Sequence, residues 1–149
     1  MNLNLNNKVV FIAGSSRGIG YAIAEGFAKE GSRVVISGRN VVSLEDAEQK
    51  LVKKYDQSKI LALNVDLSNK SDAEKAVKEI IEHFDSLDCI VANVGSGRAK
   101  GGWNLNVKDW DEVLKTNLLT SINIIESSLP YMTKNNSGNV IIIGSIVAL

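Results

Sequence analysis

Five short runs rich in Val and Ile, each separated from the next by a longer segment of helical period, constrain the fold of this chain more than any other feature. The runs are Lys8 to Ala13, Arg33 to Ser37, Ile60 to Val65, Leu87 to Ala92 and Asn139 to Gly144. They are mostly continuous apolar stretches, as strands covered on both faces are, and crossover helices between parallel strands supply such cover. Helices are predicted near Ile19 to Glu30, Ser43 to Tyr55, Ser71 to Phe84 and Val107 to Thr133. The third opens on Ser71, Asp72, Ala73, Glu74, a capping-box pattern, and carries Ala73, Val77, Ile80, Ile81 and Phe84 as its core stripe. The fourth and longest places Trp110, Val113, Leu114, Leu118, Ile122 and Ile125 along one face, with Asn117 and Ser121 on the same face. With no internal repeat, linker or low-complexity tract, and a single proline, Pro130, near the end of the last helix, residues 1–149 read as one α/β domain.

Composition narrows the partners. Seventeen Lys and Arg balance seventeen Asp and Glu, so no broad positive field is present to hold nucleic acid or an anionic membrane. The N-terminal residues alternate Asn with Leu without a signal-peptide pattern, and no apolar stretch reaches membrane-spanning length. Cys89, the only cysteine, lies in the apolar run Cys89, Ile90, Val91, Ala92, which excludes an internal disulfide and points to a buried thiol in a reducing cytoplasm.

The first run leads directly into Ala13, Gly14, Ser15, Ser16, Arg17, Gly18, Ile19, Gly20 and then an Ala-rich helix. Strand, glycine turn and helix in that order form the phosphate cradle of a Rossmann-type dinucleotide site. Gly14 permits a tight turn, Gly18 lets backbone amides approach a pyrophosphate, and Gly20 lets the helix pack against the sheet. Gly14, Ser16, Arg17, Gly18, Ile19 and Gly20 are therefore cofactor-binding candidates, and the expected fold is a three-layer αβα sandwich about a parallel sheet, ending after its fifth strand. NAD-binding folds carry an acidic residue about 20 residues beyond the glycines to hold the ribose. Here that region reads Ser37, Gly38, Arg39, Asn40. With no carboxylate present, Arg39 and Arg17 could clamp a ribose 2′-phosphate, which favours NADP(H) over NAD(H); the alternative is that both are solvated surface charges.

Taken together, these motifs resemble the short-chain dehydrogenase/reductase family over essentially the whole chain. Ala13 to Gly20 is similar to the family's Thr-Gly-x-x-x-Gly-x-Gly turn, with Ala13 in place of threonine, a replacement that loosens a local hydrogen bond. Asn64, Val65, Asp66, Leu67 resembles the segment whose aspartate binds the adenine ring; Asp66 could instead simply cap its own turn. Asn93 and Gly95 match two positions of the Asn-Asn-Ala-Gly motif that lines the cofactor site. Asn117 matches the asparagine of the catalytic tetrad, which helps hold a water in a proton relay, although a satisfied core asparagine is the plainer alternative. Ser145 stands where the catalytic serine donates to a substrate carbonyl, and a turn serine is its alternative.

The resemblance implies an NADP(H)-dependent oxidoreductase that reduces a carbonyl to an alcohol, similar to 3-oxoacyl-carrier-protein reductase. It also implies a small-molecule carbonyl or alcohol substrate and a homo-oligomer, dimer or tetramer, in the full-length form. The family's Tyr-x-x-x-Lys motif follows the serine by about a dozen residues, and the sequence stops at Leu149, so the chain is expected to bind cofactor but to be inactive alone. Tyr55 and Lys59 have the spacing of that motif but the wrong place in the chain. A non-catalytic nucleotide-binding or regulatory relative is the rival reading. Two further expectations concern an exposed apolar edge at Val140 to Ile143, prone to association, and a basic glycine-rich loop, Gly95 to Gly102, whose Arg98 and Lys100 could meet an acidic substrate.

Overall fold

A computed structural model describes residues 3–96 and 105–145. Five parallel strands form one sheet in the order β3-β2-β1-β4-β5. The strands are β1 (Val9–Ile12), β2 (Arg33–Gly38), β3 (Ile60–Asn64), β4 (Cys89–Ala92) and β5 (Asn139–Ile142), each within the run predicted for it or one residue beyond. Between them lie α1 (Gly18–Lys29), α2 (Val41–Val52), α3 (Lys70–Phe84), and then α4 (Val107–Leu114) and α5 (Thr120–Lys134) joined by a π-helical turn, Lys115–Leu119. The chain steps outward from β1 to β3, then returns to lay β4 and β5 on the other side. The reversal between β1 and β4 leaves a crevice at the carboxyl ends of the strands.

Alternate residues of the central strands feed two cores. Val9, Phe11, Val35 and Ile90 face α3 and α5, meeting Val77, Ile80, Ile124 and Met132. On the opposite face Val10, Ile12, Val34, Ile36 and Val91 meet Ala24 and Ala28 of α1 and Leu44 and Leu51 of α2. Continuous apolar runs and helices on both sides thus belong together, because each successive side chain has its own layer to enter.

Two local expectations are corrected. The amino end of α3 is capped by Asn69, whose side chain accepts from the Ser71 amide at 3.1 Å, and not by a Ser71–Glu74 box. Asn69 wins because it precedes the first helical residue and takes the extended backbone a cap needs, which leaves Ser71 inside the first turn. A capping box does occur at the start of α4, between Asn106 and Asp109.

The predicted fourth helix is not one regular helix, and of its apolar stripe Ile125 packs against the core while most of the rest does not. Trp110, Leu114, Leu118 and Ile122 are exposed, whereas Thr120, Ser121, Ile124, Ser127, Ser128 and Met132 are buried. The π turn inserts extra backbone, and one additional residue turns the following helix by about 100° relative to an uninterrupted α pattern. Small hydroxyl side chains then bring α5 close to the sheet. Ser127 satisfies its hydroxyl by donating to the Asn123 carbonyl at 2.7 Å.

Candidate cofactor site

The glycine turn leaves β1 at the crevice and is fixed from both sides. Gly14 and Gly18 have φ of 64° and 59°, backbone that an L side chain rarely adopts. Gly20, the third glycine, is needed for closeness: a Cβ there would sit 2.4 Å from the Gly14 carbonyl oxygen and 2.6 Å from Asn93 Nδ2. Asn93, just past β4, donates from Nδ2 to the Gly14 carbonyl at 3.1 Å and to the Ala13 carbonyl at 3.4 Å. On the other side the Ser15 amide donates to the Ser37 carbonyl of β2 at 2.9 Å. The turn opens straight into α1, whose first turn carries no acidic residue and caps without a side chain, so its amides remain available to an anion.

A cavity of about 480 Å³ lies over this turn. It brings together Gly14, Ser16 and Arg17 from the turn, Arg39 from beyond β2, Asp66 and Leu67 from beyond β3, and Asn93 and Gly95 from beyond β4. Those are eight of the eleven cofactor-binding candidates named from the sequence. The other three, Gly18, Ile19 and Gly20, do not line it; Gly20 is buried beneath the turn and Ile19 points to solvent, two-thirds exposed.

The far end of the cavity is built by the ends of β2 and β3. The Val65 amide and Asn64 Nδ2 both donate to the Gly38 carbonyl, at 3.2 and 2.9 Å, which sets Arg39 beside Asp66. Burial alone would raise the Asp66 carboxyl. The Ser68 hydroxyl and amide, with the positive charges of Arg39 and Lys115, outweigh it and hold the group below its ordinary value. Asp66 thus stays an anionic acceptor, and the Ser68 amide contact at 3.1 Å makes it the cap of its own turn as well. Among the described residues neither Arg17 nor Arg39 forms an ion pair. Both line the cavity.

Sequence reasoning missed several lining residues. Thr116 and Thr120 face the cavity from the long helical segment; their i, i+4 spacing on either side of Asn117 was the available signal. Asn40 and Ser43 also line it, Asn40 capping α2 by accepting from the Ser43 amide at 2.9 Å. Hence the amino end of α2 lies next to Arg39.

A second cavity, of about 370 Å³, shares Arg17, Arg39 and Gly95 with the first and reaches Asn117, Asp109 and Glu112. Asn117 sits in the π turn, exposed and not in the core. Its Oδ1 accepts from the Ser96 amide at 2.7 Å and its Nδ2 donates to the Ser96 carbonyl at 3.3 Å, tying the loop after β4 to the helix. The Thr120 amide and hydroxyl both reach the Lys115 carbonyl, the hydroxyl at 3.0 Å, which satisfies the turn that presents Asn117. A π turn at a functional residue is a recurrent arrangement. Ser145 is exposed three residues beyond β5 and is not among the described residues lining either cavity. Arg98, Lys100 and Ile146 lie outside the described residues.

The short chain dehydrogenase family profile matches residues 8–149. The chain belongs to the short chain dehydrogenase family. Among its relatives, a 3-oxoacyl-[acyl-carrier-protein] reductase FabG of Aquifex aeolicus is 35% identical over 147 residues, 99% of this chain and 59% of that protein. The FabG of Chlamydia muridarum is 34% identical over 149 residues, covering all of this chain and 60% of that one. The chain therefore spans about three-fifths of the length of these relatives. Of the solved structures, a 7α-hydroxysteroid dehydrogenase complexed with NADH and 7-oxo glycochenodeoxycholic acid superposes with a TM-score of 0.90 at 25% identity, over 99% of this chain and 56% of that one. A short-chain dehydrogenase/reductase of unknown function from Caenorhabditis elegans, solved with cofactor, gives 0.87 at 27% identity, over 97% and 55% of the two chains. Membership of this family indicates a nicotinamide cofactor.

Among the described residues no group of three or more His, Cys, Asp or Glu could hold a metal. No helix among the described residues is long and apolar enough to cross a membrane. Cys89 is buried in β4, and burial, with the nearby Asp88 charge, pushes its thiol up to about 11, so at neutral pH it is a protonated, inert core side chain.

Proposed function

We propose that this chain holds NADP(H) for an oxidoreductase that reduces a carbonyl to an alcohol, of the kind represented by the FabG relatives. The observation that carries the cofactor choice is the pair of unpaired guanidinium groups, Arg17 and Arg39, on the same cavity as the glycine turn, where β2 ends without a carboxylate. A ribose 2′-phosphate placed between them gains charge-assisted hydrogen bonds, and the capped amino end of α2 adds its partial positive charge. Asp66 accepts from the exocyclic amine of adenine, and the turn amides receive the pyrophosphate. Asn93 and Gly95 bound the part of the cavity nearest β4.

When bound, the nicotinamide supplies the hydride that reduces the substrate carbon. Ser145 donates its hydroxyl to the substrate oxygen and stabilises the charge that grows there. Asn117, held by the Ser96 backbone, orders a water for proton delivery. A 3-oxoacyl thioester is the substrate we favour, on the identity to the two FabG proteins. An assembly of like subunits and a cytoplasmic location complete the reading, the latter supported by the balanced charge and the single buried thiol.

Replacing Arg39 with Asp tests the cofactor choice. It removes one phosphate ligand and restores the carboxylate that holds an unphosphorylated ribose. The ratio of NADPH to NADH affinity, measured by fluorescence titration, is expected to fall about 10- to 100-fold, from above one to below it. An unchanged ratio overturns the assignment.

A further inference from the structure

Position 13 of the cofactor turn carries alanine where the family pattern has threonine, and a hydroxyl is found two residues further on instead. Ser15 is fully buried. Its Oγ donates to the Ile12 carbonyl at 2.6 Å and accepts from the Ser37 amide at 2.9 Å. The Ser15 amide donates in turn to the Ser37 carbonyl at 2.9 Å, and the Gly14 amide reaches Ser37 Oγ at 3.4 Å.

These contacts begin where the β1–β2 ladder stops. Its last pair is Ile12 with Ile36, and at Gly14 the backbone turns away from β2 with positive φ. Ser37 is buried, and the parallel register sets its amide opposite the Ile12 carbonyl. The Ser15 hydroxyl is seated on both groups, so the turn is tied through a side chain to the last rung of the ladder. Ser15 is not among the residues lining the cofactor cavity, whereas Gly14, Ser16 and Arg17 on either side of it are. Whatever Ser15 does for a ligand it does through the shape of the turn.

We propose that Ser15 is a positioning residue for the dinucleotide: its hydroxyl, seated between Ile12 and Ser37, holds the Gly14–Gly20 turn open to a pyrophosphate in the absence of a hydroxyl at position 13. The inference rests on the cofactor reading given above. Without the hydroxyl, the Ile12 carbonyl and the Ser37 amide each lose a buried hydrogen-bond partner, and the turn loses its tie to the end of the ladder. A cradle that must be re-formed on binding holds its ligand less tightly than one already set.

The experiment is titration of the intact protein and its Ser15→Ala variant with NADPH and, separately, with adenosine 2′-monophosphate, which carries the 2′-phosphate and adenine but no pyrophosphate. The NADPH dissociation constant is expected to rise about tenfold while that of the nucleotide monophosphate stays unchanged. A role confined to folding would move the unfolding temperature and weaken both ligands alike. Ser15→Cys, which keeps the side-chain volume and loses most of the hydrogen-bond strength, gives the same split and serves where the alanine variant does not fold. Undiminished NADPH affinity in the variants, or an equal loss for both ligands, overturns the positioning role alone. An unsubstituted protein that binds neither NADPH nor NADH overturns the cofactor reading and this inference with it.

Discussion

β1 and β5 are both four-residue strands rich in Val and Ile, one in the middle and one at the end of the same parallel sheet, yet they live in opposite surroundings. Every residue of β1 is inaccessible to solvent; every residue of β5 is exposed, Ile142 by 61%. The difference lies in what stands on either side. β1 has β2 and β4 as neighbours, α3 with α5 on one face and α1 with α2 on the other. Among the described residues β5 pairs only with β4. Its composition is that of a strand covered on both faces, and among the described residues that cover is not present. The same contrast holds for the helices. α1 buries its small residues against β1 and β2, whereas the α4–α5 segment leaves Trp110, Leu114, Leu118 and Ile122 in solvent. The half of the molecule built on β1 to β3 is closed, and it is the half that bears the glycine turn, Arg39 and Asp66. Cofactor recognition rests on the closed half; the residues proposed to act on substrate, Asn117 and Ser145, belong to the open one.

The largest effect that tests this division is truncation in the closed half. Phe11 sits in β1 with no accessible surface, packed in the α3–α5 layer. Phe11→Ala is expected to cost about 3–5 kcal/mol of unfolding free energy in urea titration, since the cavity it leaves is walled by strands that cannot collapse into it. A loss below about 1 kcal/mol, the range of an ordinary surface change, would show that β1 is not the tightly closed element described.

Cys89 tests the boundary, because it lies in β4 with its thiol in the α1–α2 layer and pairs in register with Asn139 of β5. Burial raises its thiol from 9.0 to about 11 in the folded chain. Below pH 9 the thiol is protonated in both states and the shift contributes nothing. Between 9 and 11 the unfolded chain releases the proton and the folded chain keeps it, so the unfolded state binds fewer protons and stability falls as pH rises. The expected loss across that window is roughly 2–3 kcal/mol, and Cys89→Ala should flatten that part of the stability–pH curve. Equal curves for the two proteins would mean that water reaches the thiol and that the opening at β5 extends into β4.

The sequence made the closed half readable because every layer of evidence there agrees. Continuous apolar strands, an Ala-rich helix after a glycine turn, and no carboxylate after β2 all point to one arrangement, and each is a local pattern. The cavity residues Arg17, Arg39 and Asp66 were legible for the same reason: Arg39 and Asp66 follow strand ends by a residue or two, Arg17 lies in the glycine turn, and strand ends converge on the crevice. The α4–α5 segment was harder. Its apolar stripe continues in phase only if the helix is uninterrupted, and the π turn at Lys115–Leu119 breaks that phase. The faces then trade roles, so that Thr120, Ser127 and Ser128 go inside while Leu118 and Ile122 stay outside. Nothing in a hydrophobic period marks a π turn. The Ser15–Ser37 contacts were also out of reach, because they join residues 22 apart through a hydroxyl that composition treats as loop filler.

The smallest expected effect is at β5. Ile142→Ser exchanges a large apolar side chain for a small polar one, a change that costs several kcal/mol in a core and almost nothing in solvent. Ile142 pairs with Ala92 and is more exposed than any other residue of its strand among the large apolar side chains. In the 149-residue chain the unfolding free energy is expected to change by less than about 0.5 kcal/mol. Association at high concentration should decrease, because an exposed apolar edge strand is a template for pairing with another chain. A loss of several kcal/mol would place Ile142 under cover and make β5 the counterpart of β1, and the division between closed and open halves would then fail at the strand on which it is most easily seen.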